Sequence, residues 1–327
     1  MSDACAPPGP LPKRVRALQH VGSILPQSHG GLSVSKQMIR KTAAIELVLE
    51  KRDSGNQTLG FASRPFVLCG LPIKRPRNGV LLHERRNGQF LLQVTGHPTY
   101  GLPWGQDRLV PIFLATLAIR QQQRTITFRS ALEMLDTFGM QQGGSQYRRL
   151  IGAFQRIFGA TIFFGSDMQG EKAVVVHHVR FNFMNEARIW YSRDPAQQNL
   201  PADCQNTIVL SEEFYREIQG HPIPADLEAA KVLSSSPAAL DLFMWLAYRC
   251  FTAKGQERVP LFGDCGLVNQ LGSADYVRPR EFRERLERWL DLVRTMWTQC
   301  PARISADGRA ILIDRGQAIR PQEKVRA

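Results

Sequence analysis

The sequence lacks any hydrophobic run of the length that a membrane span requires. Its longest apolar stretch, from Val110 to Ile119, has ten residues and includes a proline and a threonine, whereas a spanning helix needs about 20 residues. A secretory signal is missing as well, because the first sixteen residues hold four prolines and no continuous apolar core. We therefore expect a cytoplasmic protein that contacts no membrane.

Cysteines are few and never closely spaced. The six of them occupy positions 5, 69, 204, 250, 265 and 300, so that even the nearest two are fifteen residues apart. A zinc ribbon needs Cys-x-x-Cys pairs, and a small disulfide scaffold needs a dense cysteine framework. We expect free thiols and no bound metal.

Motifs of the common enzyme classes are also missing. The chain has no Gly-x-x-x-x-Gly-Lys-Ser/Thr phosphate loop, no Gly-x-Gly-x-x-Gly fingerprint, no Gly-x-Ser-x-Gly elbow and no His-Glu-x-x-His motif. A DNA-nicking enzyme would need two histidines on one strand face and a nucleophilic tyrosine. The adjacent His177 and His178 point to opposite faces of a strand, and Tyr147 belongs to an apolar stripe. We expect neither an enzyme nor a cofactor, and DNA nicking is kept as the enzymatic alternative.

What the sequence has in excess is positive charge. It contains 42 Lys and Arg against 29 Asp and Glu, a formal net charge of +13 at pH 7. The excess is uneven, because residues 1–106 carry a net +9, residues 107–200 a net +4 and residues 201–327 none. A basic surface of this kind is typical of a protein that meets a polyanion, and charge that merely keeps the protein in solution is the alternative.

The length of 327 residues suggests about two domains. Residues 1–33 are rich in proline, glycine and serine around a basic cluster, which predicts a disordered, flexible basic arm. Asn87-Gly88 lies between two apolar runs and predicts a β-hairpin. The expected divisions are the arm at 1–33, an N-terminal helix and β-hairpin segment packing on the first domain at 34–106, a first domain at 107–191, a linker at 192–206, a second domain at 207–315 and a flexible tail at 316–327.

One order of elements occurs in both predicted domains, namely helix, strand, helix, turn, helix and β-hairpin. The third helices are expected at residues 145–158 and 279–297, and the hairpin of the first domain has apolar runs at 160–165 and 173–183. A helix-turn-helix followed by a hairpin is the winged-helix arrangement, in which the last helix enters the DNA major groove. We expect a predominantly helical α+β fold with two tandem winged-helix domains.

The third helix of the first unit has two unlike sides. Apolar residues recur at helical spacing from Tyr147 to Phe158 and predict a core stripe. The opposite side carries no acid, and Gly152 leaves room there for a close approach to a groove. Arginine can bind guanine and glutamine can bind adenine, while a plain solubility face is the alternative. The predicted DNA contacts are Ser145, Gln146, Arg148, Arg149, Gly152, Gln155 and Arg156.

The third helix of the second unit has a polar face of mixed charge that pairs largely with itself. Only its N-terminal end has unopposed cations, and recognition helices contact bases mostly with their N-terminal residues. The two hairpins supply further cations as phosphate partners, although any exposed basic hairpin gives the same signal. The predicted contacts are Tyr276, Arg278, Arg280 and Arg283 at the helix, and Lys172, Arg303 and Arg309 in the hairpins.

Four phrases occur in the order GLPWGQDRLVPIFLATLAIRQ, YRRLIGAFQRIFGATIFFG, LDLFMWLAYRCFTAKG and PLFGDCGLVNQLG. With them the chain resembles the plasmid-encoded RepA replication initiator family over roughly residues 95–315. The resemblance implies tandem winged-helix domains, binding to repeated sites in a plasmid origin, opening of the duplex and recruitment of host replication proteins such as the host initiator and helicase. It also implies plasmid copy control through an equilibrium between homodimer and monomer. It offers no catalytic residue, and it does not extend to the first 70 residues.

The expected function is therefore sequence-specific binding of double-stranded plasmid origin DNA by a bacterial replication initiator. A winged-helix transcriptional repressor built from the same modules is the main alternative. A rolling-circle initiator that nicks DNA is the alternative from another class.

Overall fold

The computed structural model of the chain describes residues 36–140, 143–169, 174–190, 205–263, 265–272 and 278–320. The predicted arm, most of the predicted linker, most of the predicted tail, Lys172 and Tyr276 lie outside the described residues. The described part folds into ten α-helices and four small β-sheets, which confirms the α+β class. In this part of the chain no helix combines the length and the apolarity that crossing a membrane requires.

The segment before the first predicted domain contains two helices and three strands. These elements are α1 (Lys36–Asp53), β1 (Leu59–Ser63), α2 (Arg64–Leu68), β2 (Leu82–Asn87) and β3 (Phe90–Thr95). The predicted hairpin is confirmed, because β2 and β3 pair antiparallel around a tight turn that places Asn87 opposite Phe90. Gly88 in this turn has φ +57°, a backbone conformation that glycine adopts without steric cost.

The first predicted domain begins with a 3₁₀ turn at Gly105–Arg108. The elements that follow are α3 (Leu109–Gln121), β4 (Thr125–Phe128), α4 (Ala131–Thr137), α5 (Gly144–Phe158), β5 (Thr161–Gln169), β6 (Val174–Asn182), β7 (Met184–Arg188) and β8 (Asn206–Leu210). Every residue of α3 from Leu109 to Ala118 is buried. This helix lies at the centre of the core, which explains why its sequence has no polar face.

The remaining elements complete the second predicted domain. They are α6 (Glu212–Gly220), β9 (Pro222–Asp226), α7 (Leu227–Leu233), α8 (Pro237–Thr252), β10 (Glu257–Pro260), α9 (Leu267–Leu271), α10 (Pro279–Met296), β11 (Ala302–Ile304) and β12 (Ala310–Ile313). Proline stands in the first turn of both α8 and α10, where its missing N–H costs no hydrogen bond. The order predicted from the sequence is confirmed from α8 to β12.

The predicted hairpin of the first unit is confirmed, because β5 pairs antiparallel with β6. The sequence did not predict how this hairpin pairs with other strands, and it does not pair with β4. Instead β5 pairs with β3, which gives a four-stranded sheet in the order β2-β3-β5-β6. β4 pairs with β8, and β8 with β7. The β5–β6 hairpin thus belongs to the sheet of the N-terminal segment, and the side chains of Leu92 and Val94 in β3 are buried on one face of this sheet.

The N-terminal segment contacts both predicted domains and not only the first. β1 pairs antiparallel with β9, and Lys51 of α1 forms an ion pair with Glu228 of α7 at 2.6 Å. Arg52 lies over the ring of Trp297 at 5.3 Å and donates a hydrogen bond to the carbonyl oxygen of Gln317. The buried apolar residues accordingly form one continuous core from Ile45 to Ala318.

A buried ion pair joins the two predicted domains. Arg108 at the end of the 3₁₀ turn donates to the carboxylate of Asp241 in α8, and both side chains are less than one tenth exposed. The same guanidinium donates to the carbonyl oxygens of Gly105, Leu71 and Pro72 at 2.7 to 3.0 Å. Because these bonds use all three guanidinium nitrogens, the buried charge is fully compensated.

Removal of Asp241 should therefore be costly. Asp241→Ala leaves Arg108 buried without its anion, and we expect the free energy of unfolding to fall by about 3 to 5 kcal/mol. Asp314→Ala is the matched control, because it breaks the exposed pair with Arg303, and it should cost less than about 1 kcal/mol. Urea unfolding of both variants measures the difference, and equal losses would contradict the assignment.

Stability should also fall in mild acid because of His83. Burial and the neighbouring Arg85 lower the pKa of His83 to about 4, so its neutral ring donates to the carbonyl oxygen of Gly70, 3.0 Å away. The unfolded chain takes up this proton near pH 6.5. Between pH 6.5 and 4 only the unfolded state is protonated, so the free energy of unfolding decreases as the pH falls, by up to about 3 kcal/mol.

The measurement is urea unfolding from pH 7 to pH 4. His83→Gln removes the titrating group and should flatten the pH dependence in this window. A variant whose pH dependence matches that of the parent chain would show that His83 does not carry the effect.

Candidate nucleic-acid interface

The helix α5 packs with one face on the core. Tyr147, Leu150, Ala153, Phe154 and Ile157 are buried, and Phe128 stacks on Phe154 with ring centroids 6.3 Å apart. The predicted stripe is confirmed except at two positions, since Ile151 is half-buried and Phe158 at the end of the helix is 42% exposed. The helix is thus held in a fixed rotation about its axis, and its other face points away from the core.

The outward face of α5 carries cations and amides. Ser145, Arg148, Arg149 and Gln155 are exposed, as predicted, and Gln146 is half-buried. Arg148 donates to the carbonyl oxygen of Gly144 at 3.3 Å within its own helix. No acidic residue occurs between Asp136 and Asp167, and no contact of the Arg149 side chain with an acid is found in the described part of the chain. This outward face is therefore positive and free of internal neutralisation.

Arg156 has a different role from the one expected, because its guanidinium is bound inside the protein. Its Nε lies 2.6 Å from Oδ2 of Asp107, and its second terminal nitrogen lies 2.9 Å from Oδ1. The side chain of Asp107 is 4% exposed and that of Arg156 is 18% exposed. The guanidinium also lies 5.8 Å from the centre of the Trp104 ring. The edge formed by Nε and the second terminal nitrogen is therefore occupied by Asp107, and a two-bond contact of this edge with a guanine would have to break the ion pair.

Gly152 serves this internal pair. A Cβ atom at position 152 would come within 3.1 Å of a terminal nitrogen of Arg156, so the missing side chain makes room for the guanidinium as it folds back along the helix. The glycine thus has an internal role that the sequence did not indicate, and the approach of a DNA groove at Gly152 stays a prediction. The glycine allows α5 to be locked to the 3₁₀ turn, which is a requirement of packing.

Sequence reasoning missed Asp107 as the partner of Arg156. The sequence indicates Asp107 as a helix cap, and its carboxylate does accept a hydrogen bond from the backbone N–H of Trp104 at 2.9 Å. The ion pair joins residues 49 positions apart. No local spacing rule reaches across that separation, so only the tertiary fold reveals the pair.

The N-terminal end of α10 presents a smaller basic surface than predicted. Arg278 is exposed and stands at the N-cap. Arg280 donates to Glu284 at 2.7 Å, and this hydrogen bond lowers the pKa of Glu284. Arg283 is half-buried and lies against the turn at Gly308, where a Cβ atom would meet its guanidinium at 2.9 Å. Arg278 is therefore the member of the predicted set that is most available to a ligand.

The hairpin of β11 and β12 is held in shape by Asp307. Its carboxylate accepts hydrogen bonds from the hydroxyl of Ser305, the backbone N–H of Arg309 and the side chain of Arg258, which together hold the pKa of Asp307 well below its usual range. Arg303 forms an exposed ion pair with Asp314 at 2.9 Å. Arg309 projects exposed from the tip of the hairpin, beside the turn that contacts Arg283.

In the described ranges, no group of three or more His, Cys, Asp or Glu side chains is placed to hold a metal ion. His177 and His178 are both exposed on β6, where consecutive side chains point to opposite faces.

The two arginines of α5 should respond differently to truncation. Arg156→Ala leaves the buried carboxylate of Asp107 without its cation, so we expect the free energy of unfolding to fall by about 3 kcal/mol. Arg149→Ala removes an exposed side chain and should change it by less than about 0.5 kcal/mol. Urea unfolding of the two variants tests this, and a loss at Arg149 as large as that at Arg156 would contradict the structure.

No curated protein matches the chain significantly by sequence. A crystal structure of RctB domains 2–3 is 12% identical with a TM-score of 0.45, and the match covers 74% of this chain and 92% of that chain. A selenomethionine derivative of domains 2 and 3 of RctB is 14% identical with a TM-score of 0.43, and the match covers 67% and 79% of the two chains.

The sequence model of one family also matches, over residues 107–260, and that family is described as plasmid encoded RepA protein. The matched region begins within the 3₁₀ turn, at Asp107, and contains α3, α5 and α8. The family prediction made from the sequence is confirmed, and over slightly less than half of its length this chain is similar to plasmid-encoded RepA proteins.

Proposed function

We propose that this protein is a plasmid replication initiator that binds double-stranded origin DNA through the outward face of α5 and the N-terminal end of α10. In this proposal the protein recognises repeated sites, promotes opening of the duplex and recruits host replication proteins, while an equilibrium between homodimer and monomer controls copy number. It acts by binding and performs no catalysis of its own.

The observation that carries the proposal is the outward face of α5. It has two exposed arginines and an exposed glutamine, and it lies in a stretch of 30 residues, from position 137 to 166, without an acid. A solvated helix face usually mixes both signs. Exposed arginine and glutamine on one rigid helix are the residue types that read guanine and adenine in the major groove. Sequence-specific duplex DNA is therefore the ligand that this face fits best.

The topology supports a winged-helix interpretation of both units. In each, the strand after the first helix pairs with the last strand and the middle strand completes a three-stranded sheet, in the orders β4-β8-β7 and β10-β12-β11. Each sheet accompanies a pair of helices, α4 with α5 and α9 with α10, in helix-turn-helix order. In this interpretation β7 and β8 are the wing strands of the first unit, and the β5–β6 hairpin is an insertion.

The contacts proposed for the second unit are fewer. Among the contacts predicted for the second unit, two exposed cations have no acidic side-chain partner in the part of the chain that the structure describes. They are Arg278 at the start of α10 and Arg309 at the tip of the β11–β12 hairpin. N-terminal residues of a recognition helix reach base edges, and a hairpin cation reaches phosphates. We propose that the two units bind successive major grooves of one duplex, with Arg278 as the reading residue of the second.

The decisive experiment starts from plasmid DNA that flanks the gene of this protein. The chain should protect a specific footprint there, and a test plasmid with this DNA should replicate only when the protein is supplied. Arg149→Ala should weaken binding to the protected duplex by roughly 5- to 150-fold, the loss of one good arginine–guanine pair of about 1 to 3 kcal/mol. A titration of the labelled duplex measures this loss.

Arg216→Ala is the matched control, because Arg216 is an exposed arginine of α6 whose partner is Glu212. This variant should bind the duplex as the parent chain does. Equal binding by Arg149→Ala and the parent chain would refute the role of α5. A footprint without any support of replication would indicate the repressor in place of the initiator.

A further inference from the structure

The loop between α2 and β2 forms a second basic surface that the predicted contacts do not include. Lys74, Arg75 and Arg77 are all exposed in this loop, and no acid occurs between Asp53 and Glu84. We call residues 72–81 the basic loop. Arg75 and Arg77 show no ion pair or side-chain hydrogen bond with any part of the chain that the structure describes, so their charge is directed to solvent or to a ligand.

The basic loop is held in place at both ends. Arg108 donates to the carbonyl oxygens of Leu71 and Pro72 at 3.0 and 2.9 Å, and the backbone N–H of Gly105 donates to the same oxygen of Pro72 at 2.9 Å. At the other end, the backbone N–H of Gly96 donates to the carbonyl oxygen of Leu81 at 2.8 Å. The arginines therefore project from a fixed base.

The conformation of the loop itself is also restricted. Pro76 stands between the two arginines, has a fixed φ of its own and restricts the backbone of Arg75 before it. A turn follows in which the N–H of Val80 donates to the carbonyl oxygen of Arg77 at 3.1 Å, and Gly79 has φ +82°. A turn of this kind needs glycine at that position. The loop thus loses less freedom on binding than a flexible basic tail would.

The position of the loop relative to α5 follows from one shared support. The 3₁₀ turn that binds Pro72 through Gly105 also binds the last turn of α5 through the pair of Asp107 with Arg156. Arg75 is three residues from Pro72, at most roughly 10 Å of extended chain. The base of the basic loop and the C-terminal part of α5 are therefore attached to the same 3₁₀ turn.

We propose that Arg75 and Arg77 bind backbone phosphates of the duplex whose major groove α5 enters. This inference rests on the proposed function, since it needs α5 to lie against DNA. A helix that reads bases with its N-terminal part brings the phosphate backbone close to its other end. Guanidinium groups match phosphate oxygens in geometry and charge, and contacts of this type fix register without reading sequence.

The salt dependence of binding tests the proposal. Each lost phosphate contact should reduce the slope of log K against log salt by about 0.9. Between 50 and 200 mM salt, the affinity of the parent chain should fall about 12-fold more than the affinity of the double variant Arg75→Ala with Arg77→Ala. Binding is measured to the footprinted duplex and to a scrambled duplex of the same length. The reduction of the salt slope in the double variant should be the same for both duplexes.

Two comparison variants make the result specific. Arg75→Lys with Arg77→Lys keeps the charge and should restore most of the salt slope, and Arg216→Ala should leave it at the value of the parent chain. Arg149→Ala should instead lower affinity for the footprinted duplex much more than for the scrambled one. Thermal unfolding should be the same for the loop variant and the parent chain, because the two side chains are exposed.

Three outcomes would overturn the assignment. An unchanged salt slope in the double alanine variant would show that the loop does not touch phosphate. A loss confined to the footprinted duplex would show that the arginines read bases. Unchanged DNA binding with impaired plasmid replication would show that the loop meets an acidic protein surface. In each case a loss of affinity of Arg149→Ala for the footprinted duplex would still support the proposed function. Failure of the loop assignment can therefore be distinguished from failure of the proposed function.

Discussion

The structure depends on two buried ion pairs that start from neighbouring residues. Asp107 and Arg108 stand side by side in the 3₁₀ turn at Gly105–Arg108, and each binds a partner far away in the sequence. Asp107 holds Arg156 of α5, and Arg108 holds Asp241 of α8. Opposite charges in adjacent positions allow both pairs to be buried at one point with little net charge there. This junction connects α5 of the first unit to the core helix α8 of the second.

The junction also decides which cations of the chain are available to a ligand. By charge alone, every arginine of the basic residues 1–200 is a candidate for binding a ligand. Burial and ion pairing separate the arginines that bind inside the protein from those that are exposed. Arg156 and Arg108 stabilise the fold, while Arg149 and the basic loop at 72–81 present charge outward. An exposed guanidinium without an acid beside it is attracted to a polyanion over a distance of about a Debye length. The internal pairs fix the direction in which these free charges point.

The sequence was informative wherever the decisive contacts are local. The apolar stripe of α5, the Asn87-Gly88 hairpin and the order of elements from α8 to β12 follow from periodicity, turn chemistry and helix-breaking residues, and all three are confirmed. Two features depend on contacts between distant segments and were not predicted. The β5–β6 hairpin pairs with β3, and Gly152 makes room for Arg156. Tertiary folding determines which strand pairs with a free strand edge and which side chain fills the space beside a glycine, so neither can be predicted from local sequence.

The central claim is that the outward face of α5 lies against duplex DNA, and position-specific crosslinking tests it most directly. Ser145→Cys, in a chain whose other accessible cysteines are replaced by serine, can carry a short photoactivatable group at the exposed start of α5. The account predicts crosslinks to bases inside the footprint, and none from the same group placed at position 40 of α1. Crosslinks from position 40 with none from position 145 would contradict it.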